Sequence, residues 1–321
     1  MNIFHGVFDP YFLKYLTVAA SILVIAGAIL VSLRAAGLKE NRIVSHSWKA
    51  YCSWLVMALV IFGVLALGRV GFIAGMLVLS VFCIREFSMA TGLYSDKWFM
   101  SVIYANVTAI YWCVFIGWYG LFIIMPVFGL CFLFMVPVFR NQASGMLQKV
   151  GLSAVAVIYM GWFPGHLAFL ANHPHMEAYV LFLLLGVVLN DMSAYIIGSM
   201  FGRKKLITNV SPNKTTEGTA GAMLVAAVYV WLARPWVPDF TPVLYTLSFL
   251  IIWIGGTLGD LIISVIKRDV GVKDMGVFIP GHGGLLDRVD SLLFAAPLFF
   301  HMINYFLGFP GMTRALEVVI K

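Results

Sequence analysis

FLKYLTVAASILVIAGAILVSL, residues 12–33, carries a single charge, Lys14, in 22 positions. As a helix such a run is about 33 Å long, enough to cross a hydrocarbon core of about 30 Å. It is apolar on every side, so its surroundings are lipid or other apolar helices rather than water. Nine further stretches of this kind follow: Cys52–Leu67, Val70–Ile84, Phe99–Trp118, Leu121–Phe139, Val150–Leu170, Ala178–Phe201, Thr219–Leu232, Val243–Ile266 and Leu292–Leu307. The second, third and eighth stretches are short for a full crossing, so the pattern predicts nine to ten spans. The expected fold is all-α, a polytopic integral membrane protein of about ten transmembrane helices.

The bulk composition agrees. The 321 residues are 62% hydrophobic and 11% charged, against about 25% charged in soluble domains. A water-soluble globule, a disordered chain and a nucleic-acid-binding module are excluded. Cys52, Cys83, Cys113 and Cys131 all lie in apolar runs without metal-ligand spacing, so a disulfide scaffold is excluded too. No cleavable signal pattern is expected, because the first run is too long and lacks a small-residue cleavage site.

Orientation follows from the cations. With the N-terminus outside and a crossing at each stretch, 16 of the 21 Lys and Arg fall on the inner side. That bias predicts cytoplasmic charged loops in the cell (inner) membrane. The acids divide the chain: residues 1–177 hold five of the 14, and residues 178–321 the other nine. Residues 1–177 are read as a transmembrane region without a motif and residues 178–321 as the catalytic region.

Three clusters in that second region carry chemistry. Asn190 and Asp191 lie inside the seventh stretch, where a carboxylate must face a polar cavity or a partner. Asp191, Tyr195, Gly198 and Gly202 share a face at helical spacing, and its small residues favour close packing. The loop GRKKLITNVSPNKTTEG, residues 202–218, combines four cations with hydroxyls and turn formers, a composition suited to phosphate. The third cluster, GGTLGDLIISVIKRDVGVKDMGVFIPGHGGLLDRVDS, spans 255–291 and has eight charges in the 24 positions from Lys267 to Asp290. Asp260, Ser264, Lys267 and Arg268 fall on one helical face. Asp287 and Asp290 stack at a spacing of three. Carboxylates from two helix ends, interleaved with Lys and Arg, suit Mg²⁺-assisted phosphoryl chemistry, in which substrate phosphates complete the ion's shell.

These residues closely resemble the signature of the CTP:phosphatidate cytidylyltransferases, or CDP-diacylglycerol synthases. The signature reads Ser-x-x-Lys-Arg, Lys-Asp, Pro-Gly-His-Gly-Gly and Asp-Arg-x-Asp. It stands here as Ser264, Lys267, Arg268, Lys273, Asp274, Pro280–Gly284, Asp287, Arg288 and Asp290. Two further blocks match: Asp191, Ala194, Tyr195, Gly198, Phe201, Gly202 and Arg203, then Ser211, Pro212, Lys214, Thr215, Glu217 and Gly218. Asn213 stands where many members have a second Lys.

The resemblance implies a nucleotidyltransferase in phospholipid biosynthesis, which joins CTP and phosphatidate into CDP-diacylglycerol and releases pyrophosphate. It implies Mg²⁺, with a second monovalent or divalent cation, held by Asp260 and Asp287 with support from Asp290 and Asp191. Lys267, Arg268, Lys273, Arg288 and Lys214 are expected on the phosphates, Ser211 and Thr215 as added oxygen ligands, and His282 in a phosphate or turn-stabilising role. The expected partners are CTP, a lipid phosphate and the bilayer; apolar helices with small residues also permit a homodimer. Three alternatives remain open at this point: a cytidylyltransferase for a different lipid phosphate, a CTP-dependent polyprenol kinase and a membrane transporter.

Overall fold

The computed structural model describes residues 10–37, 42–276 and 283–309. The chain is almost wholly helical. Its helices are α1 (Pro10–Ala35), α2 (Arg42–Ala66), α3 (Gly68–Ala90), α4 (Lys97–Ile116), α5 (Tyr119–Phe139), α6 (Met146–Val155), α7 (Phe163–Phe169), α8 (Met176–Phe201), α9 (Thr216–Leu232), α10 (Pro242–Leu250), α11 (Gly256–Val270) and α12 (Leu286–Phe306). A π-helical segment, Ala156–Trp162, joins α6 to α7, and another, Ile251–Gly255, joins α10 to α11. Among the described residues, eight helical segments are long and apolar enough to cross a membrane. Two shorter apolar helical segments, Tyr51–Ala66 within α2 and Thr216–Leu232, which is α9, correspond to the second and eighth stretches.

The third stretch is longer than its apolar run predicts. Its helix continues through Arg85 and Glu86 to Ala90, a 23-residue span. A charge ends a membrane helix only if it must reach water; Glu86 is buried inside the protein and hydrogen-bonded there. Helix α12 likewise begins at Leu286, six residues before the apolar run, and so takes Asp287 and Asp290 into its first turns.

One further departure from an all-helical reading lies between α8 and α9. Strand β1 (Lys205–Ile207) pairs antiparallel with β2 (Ser211–Thr215). The carboxyl of Glu217 pins the start of this hairpin by accepting from the backbone N–H groups of Arg203 and Lys204, at 3.1 and 3.2 Å. The two strands thus pair their own backbone groups. Helices α8 and α9 pack tightly where they leave it. A Cβ on Gly218 would lie 2.6 Å from the Ala194 carbonyl oxygen and 3.0 Å from Gly198 Cα. Of the face expected on α8, Gly198 makes this contact, but Tyr195 is 75% exposed and points away from the bundle. An i, i+4 step on a 3.6-residue helix drifts in angle, and Tyr195 falls on the outer side of that drift.

Polar groups tie the spans at both ends. Asp96, just before α4, receives Arg140 Nη1 at 2.7 Å and Lys149 Nζ at 2.7 Å, from the end of α5 and from α6. At the far end of α4, Asn172 donates to the Val114 carbonyl at 3.0 Å and accepts from Arg69 Nε at 2.9 Å. Between these ties α4 runs for 20 residues, about 30 Å and so one hydrocarbon thickness. Burial works against the charge of Asp96, but the bonds from Lys149 and Arg140 outweigh it and hold the carboxyl below the ordinary aspartate range.

A depressed carboxyl pKa adds stability that is fully present above the ordinary value and is lost as pH falls through the folded one. The thermal midpoint of the detergent-solubilised protein should therefore fall below about pH 4. Asp96→Asn should lower the neutral-pH stability by roughly 1–3 kcal/mol and flatten that acid limb. An unchanged acid limb in Asp96→Asn would show that other carboxyls set it.

Candidate active site

Helices α11 and α12 pack antiparallel at almost backbone contact. A Cβ on Gly259 would lie 2.6 Å from the Asp290 carbonyl oxygen and 2.8 Å from Ser291 Cα. This closeness places the polar face of α11 beside the first turns of α12, and the charged residues of both helices gather there.

Asp260 sits on α11. Its Oδ2 meets Lys214 Nζ, from β2, at 2.7 Å. Its Oδ1 accepts from Ser264 Oγ at 3.2 Å, one turn along. Lys214 also reaches the Thr257 carbonyl at 3.5 Å. The hairpin is thus drawn over α11, and Arg268 Nε adds a second bond to it through the Val210 carbonyl, at 3.3 Å.

Lys267 and Asp287 form a second pair, Nζ to Oδ1, at 2.8 Å. Both side chains are largely shielded, 13% and 8% exposed. The other carboxyl oxygen of Asp287 accepts from Met275 N at 2.9 Å and from Gly284 N at 3.2 Å. One side chain therefore bonds backbone on both sides of residues 277–282. Pro280, Gly281 and His282 lie outside the described residues.

Asp290 is buried, and its Oδ1 accepts from Ser291 N at 2.8 Å. It lies within electrostatic range of Asp260, Asp191 and Lys267. Asp191, on α8, lies within range of Asp260 and Lys214, and Asn190 Nδ2 donates to its Oδ1 at 3.4 Å. Asn190 Oδ1 is buried here without a hydrogen-bond partner, and the Ser291 hydroxyl lies toward the Asp191 carboxyl. Three of the four aspartates expected to hold metal thus share one electrostatic neighbourhood with the unpartnered Asn190 oxygen. Asp287 stands apart, engaged by Lys267 and two amides. Among the described residues, no three His, Cys, Asp or Glu side chains are close enough to enclose an ion by themselves. The donor set is all oxygen, which suits Mg²⁺, an ion that usually keeps waters and takes only one or two carboxylates.

The remaining expected residues divide. Thr215 is buried and caps α9, accepting from Gly218 N at 3.1 Å, so its hydroxyl serves the helix start. Ser211 is half-buried in β2, while Lys273 and Arg288 are exposed.

Glu86 belongs to the same end of the molecule, and no motif announces it. Its two oxygens accept from Leu285 N at 2.9 Å and from Leu286 N at 2.8 Å, across 199 and 200 residues of sequence. The available signal was slight: it is one of five acids in residues 1–177 and abuts an apolar stretch.

Residues 48–306 match the cytidylyltransferase family. Among curated relatives, the uncharacterized protein YnbB of Escherichia coli is 33% identical over 238 residues, 71% of this chain and 77% of that one. The phosphatidate cytidylyltransferase of Staphylococcus haemolyticus is 41% identical over 161 residues, half of this chain and 60% of its own length. The phosphatidate cytidylyltransferase of Mycobacterium leprae is 36% identical over 161 residues, again half of this chain and 52% of its own. The chain thus spans about half to three fifths of the phosphatidate cytidylyltransferases it matches.

The contact at Gly259 gives a direct test of the site's scaffold. Gly259→Ala should wedge α11 from α12 and cost roughly 1–3 kcal/mol of stability, read as a lower thermal midpoint. Gly151→Ala, at a glycine whose Cβ would meet nothing within 4 Å, should leave the midpoint unchanged or slightly raised. Equal midpoints in the two variants would contradict the close helix contact.

Proposed function

The chain belongs to the cytidylyltransferase family, and we propose from that premise that it transfers the cytidylyl group of CTP to phosphatidate, giving CDP-diacylglycerol and pyrophosphate. The observation that carries this reading is the pair of lysine–aspartate contacts, Lys214–Asp260 and Lys267–Asp287, assembled from segments that match the family. They set cations and carboxylates side by side at one end of a helix bundle, as a reaction between two polyanions requires.

In this reading the lipid phosphate attacks the α-phosphorus of CTP, and the bond to the β-phosphate bridging oxygen breaks. A phosphomonoester has its second pKa near 6 and is largely dianionic at pH 7, so the nucleophile needs no general base. The difficulty is mutual repulsion. Lys214, Lys267, Arg268, Lys273 and Arg288 offset it by placing positive charge on the triphosphate and the leaving pyrophosphate. Asp260, with Asp191 and Asp290 and the oxygens of Asn190 and Ser291, would hold Mg²⁺ and a second cation, and Asp287 is the further carboxylate proposed for them. The bound metal would supply charge neutralisation at the reacting phosphates.

The proposed setting is the cytoplasmic (inner) membrane with the charged loops facing the cytoplasm. The bias of 16 cations to five supports it, as does the cytosolic location of CTP. Acyl chains would stay in the bilayer while the phosphate reaches the charged end of α11 and α12.

Purified protein incubated with labelled CTP, Mg²⁺ and a panel of lipid phosphates tests the reaction. CDP-diacylglycerol and pyrophosphate are expected with phosphatidate, and a CDP-lipid formed only from another lipid phosphate would redirect the substrate. CDP released in place of pyrophosphate would mean kinase chemistry. Asp260→Asn and Asp287→Asn should each reduce turnover at least 100-fold while the protein still inserts; near-normal turnover in Asp287→Asn would remove it from the site. A cysteine at position 273 should resist an impermeant thiol reagent added outside intact cells, and labelling there would reverse the orientation.

A further inference from the structure

Glu86 is a buried carboxyl that the proposed reaction does not use. It reaches from α3, in the first third of the chain, to the start of the last helix. The first N–H groups of a helix have no intrahelical acceptor, and most helices satisfy them with a local Ser, Thr, Asp or Asn. Helix α12 has Leu285 in that place, and no side chain there makes a capping bond. Glu86 does the capping from another helix, one oxygen for Leu285 N and one for Leu286 N.

The fit around this carboxyl is close. A Cβ on Gly276 would lie 2.5 Å from Glu86 Oε1, and one on Gly284 would lie 2.7 Å from Oε2. Gly276 follows Met275, and Met275 and Gly284 supply the amides that Asp287 receives. Glu86 and Asp287 therefore divide the local amides between them: Leu285 and Leu286 go to Glu86, Met275 and Gly284 to Asp287. A negative group at a helix N-terminus also lies favourably in the helix dipole.

We infer that Glu86 is a positioning residue: it anchors the first turn of α12 and so fixes where Asp287 meets Lys267. The anchoring rests on these contacts alone. Its effect on turnover rests on the reaction proposed above.

The test compares wild type with Glu86→Gln, in which one of the two amides faces an NH2 group instead of an acceptor. Hydrogen–deuterium exchange should accelerate at least tenfold in peptides covering 283–290 and stay unchanged in α4, α5 and the body of α12. In the CTP and phosphatidate assay, kcat should fall at least tenfold while the KM for CTP stays within about threefold. Unchanged exchange at 283–290 overturns the inference, as does acceleration throughout the bundle, which would mark a general stability role. Local acceleration with a normal kcat also overturns it. Wild-type protein that makes no CDP-lipid, while Glu86→Gln still loosens only 283–290, would retract the reaction and leave the anchor standing. Should Glu86→Gln fail to accumulate, Gly276→Ala, which crowds the same carboxyl without removing it, takes its place with the same readouts.

Discussion

A hydrocarbon core offers no hydrogen-bond partners, so every polar group placed at its depth must find one within the protein. Most of this structure follows from that constraint. The helices satisfy their own backbones. Asp96 holds two cations, Asp287 holds one cation and two amides, and Glu86 holds two amides. Charges that would be scattered on a water-soluble surface are here drawn together, because each supplies what the other lacks.

The same constraint explains why the ion pairs are not mere decoration. An exposed surface pair contributes about 0–1 kcal/mol. A shielded pair is different: its formation only about offsets the loss of hydration, but removal of one partner strands the other at a cost of roughly 3–5 kcal/mol. Lys267 and Asp287 are of the shielded kind. Lys214 and Asp260 are more open, 19% and 29% exposed, and a polyanion could displace the carboxylate from the lysine at lower cost.

The residue types of the site were legible in the sequence, and their partnerships were not. Asp260, Lys267 and Asp287 stand out because charge is rare in this chain and their spacing is helical. The Lys214–Asp260 pair joins a loop to a helix 46 positions later, and nothing in either segment specifies it. The length of α3 was underestimated because its apolar run stops at Ile84; the helix continues because Glu86 is sheltered by the last helix. Thr215 reads from the sequence only as an added oxygen ligand, and the bond its hydroxyl accepts from Gly218 N depends on where α9 begins. The hairpin was missed for a similar reason: five residues rich in turn formers and hydroxyls signal a loop, and their pairing depends on β1.

The long reach of Glu86 has a consequence for how the protein is made. A ribosome completes α3 some 200 residues before it reaches Leu286. Through nearly all of that synthesis the carboxyl has neither the Leu285 and Leu286 amides to accept from nor Gly276 and Gly284 packed against it. Contacts so distant in sequence are closed late and slowly. The junction of α3 with α12 thus closes only after nearly all of the described chain has been made, and a nascent chain truncated before α12 holds an acid whose amide partners are missing.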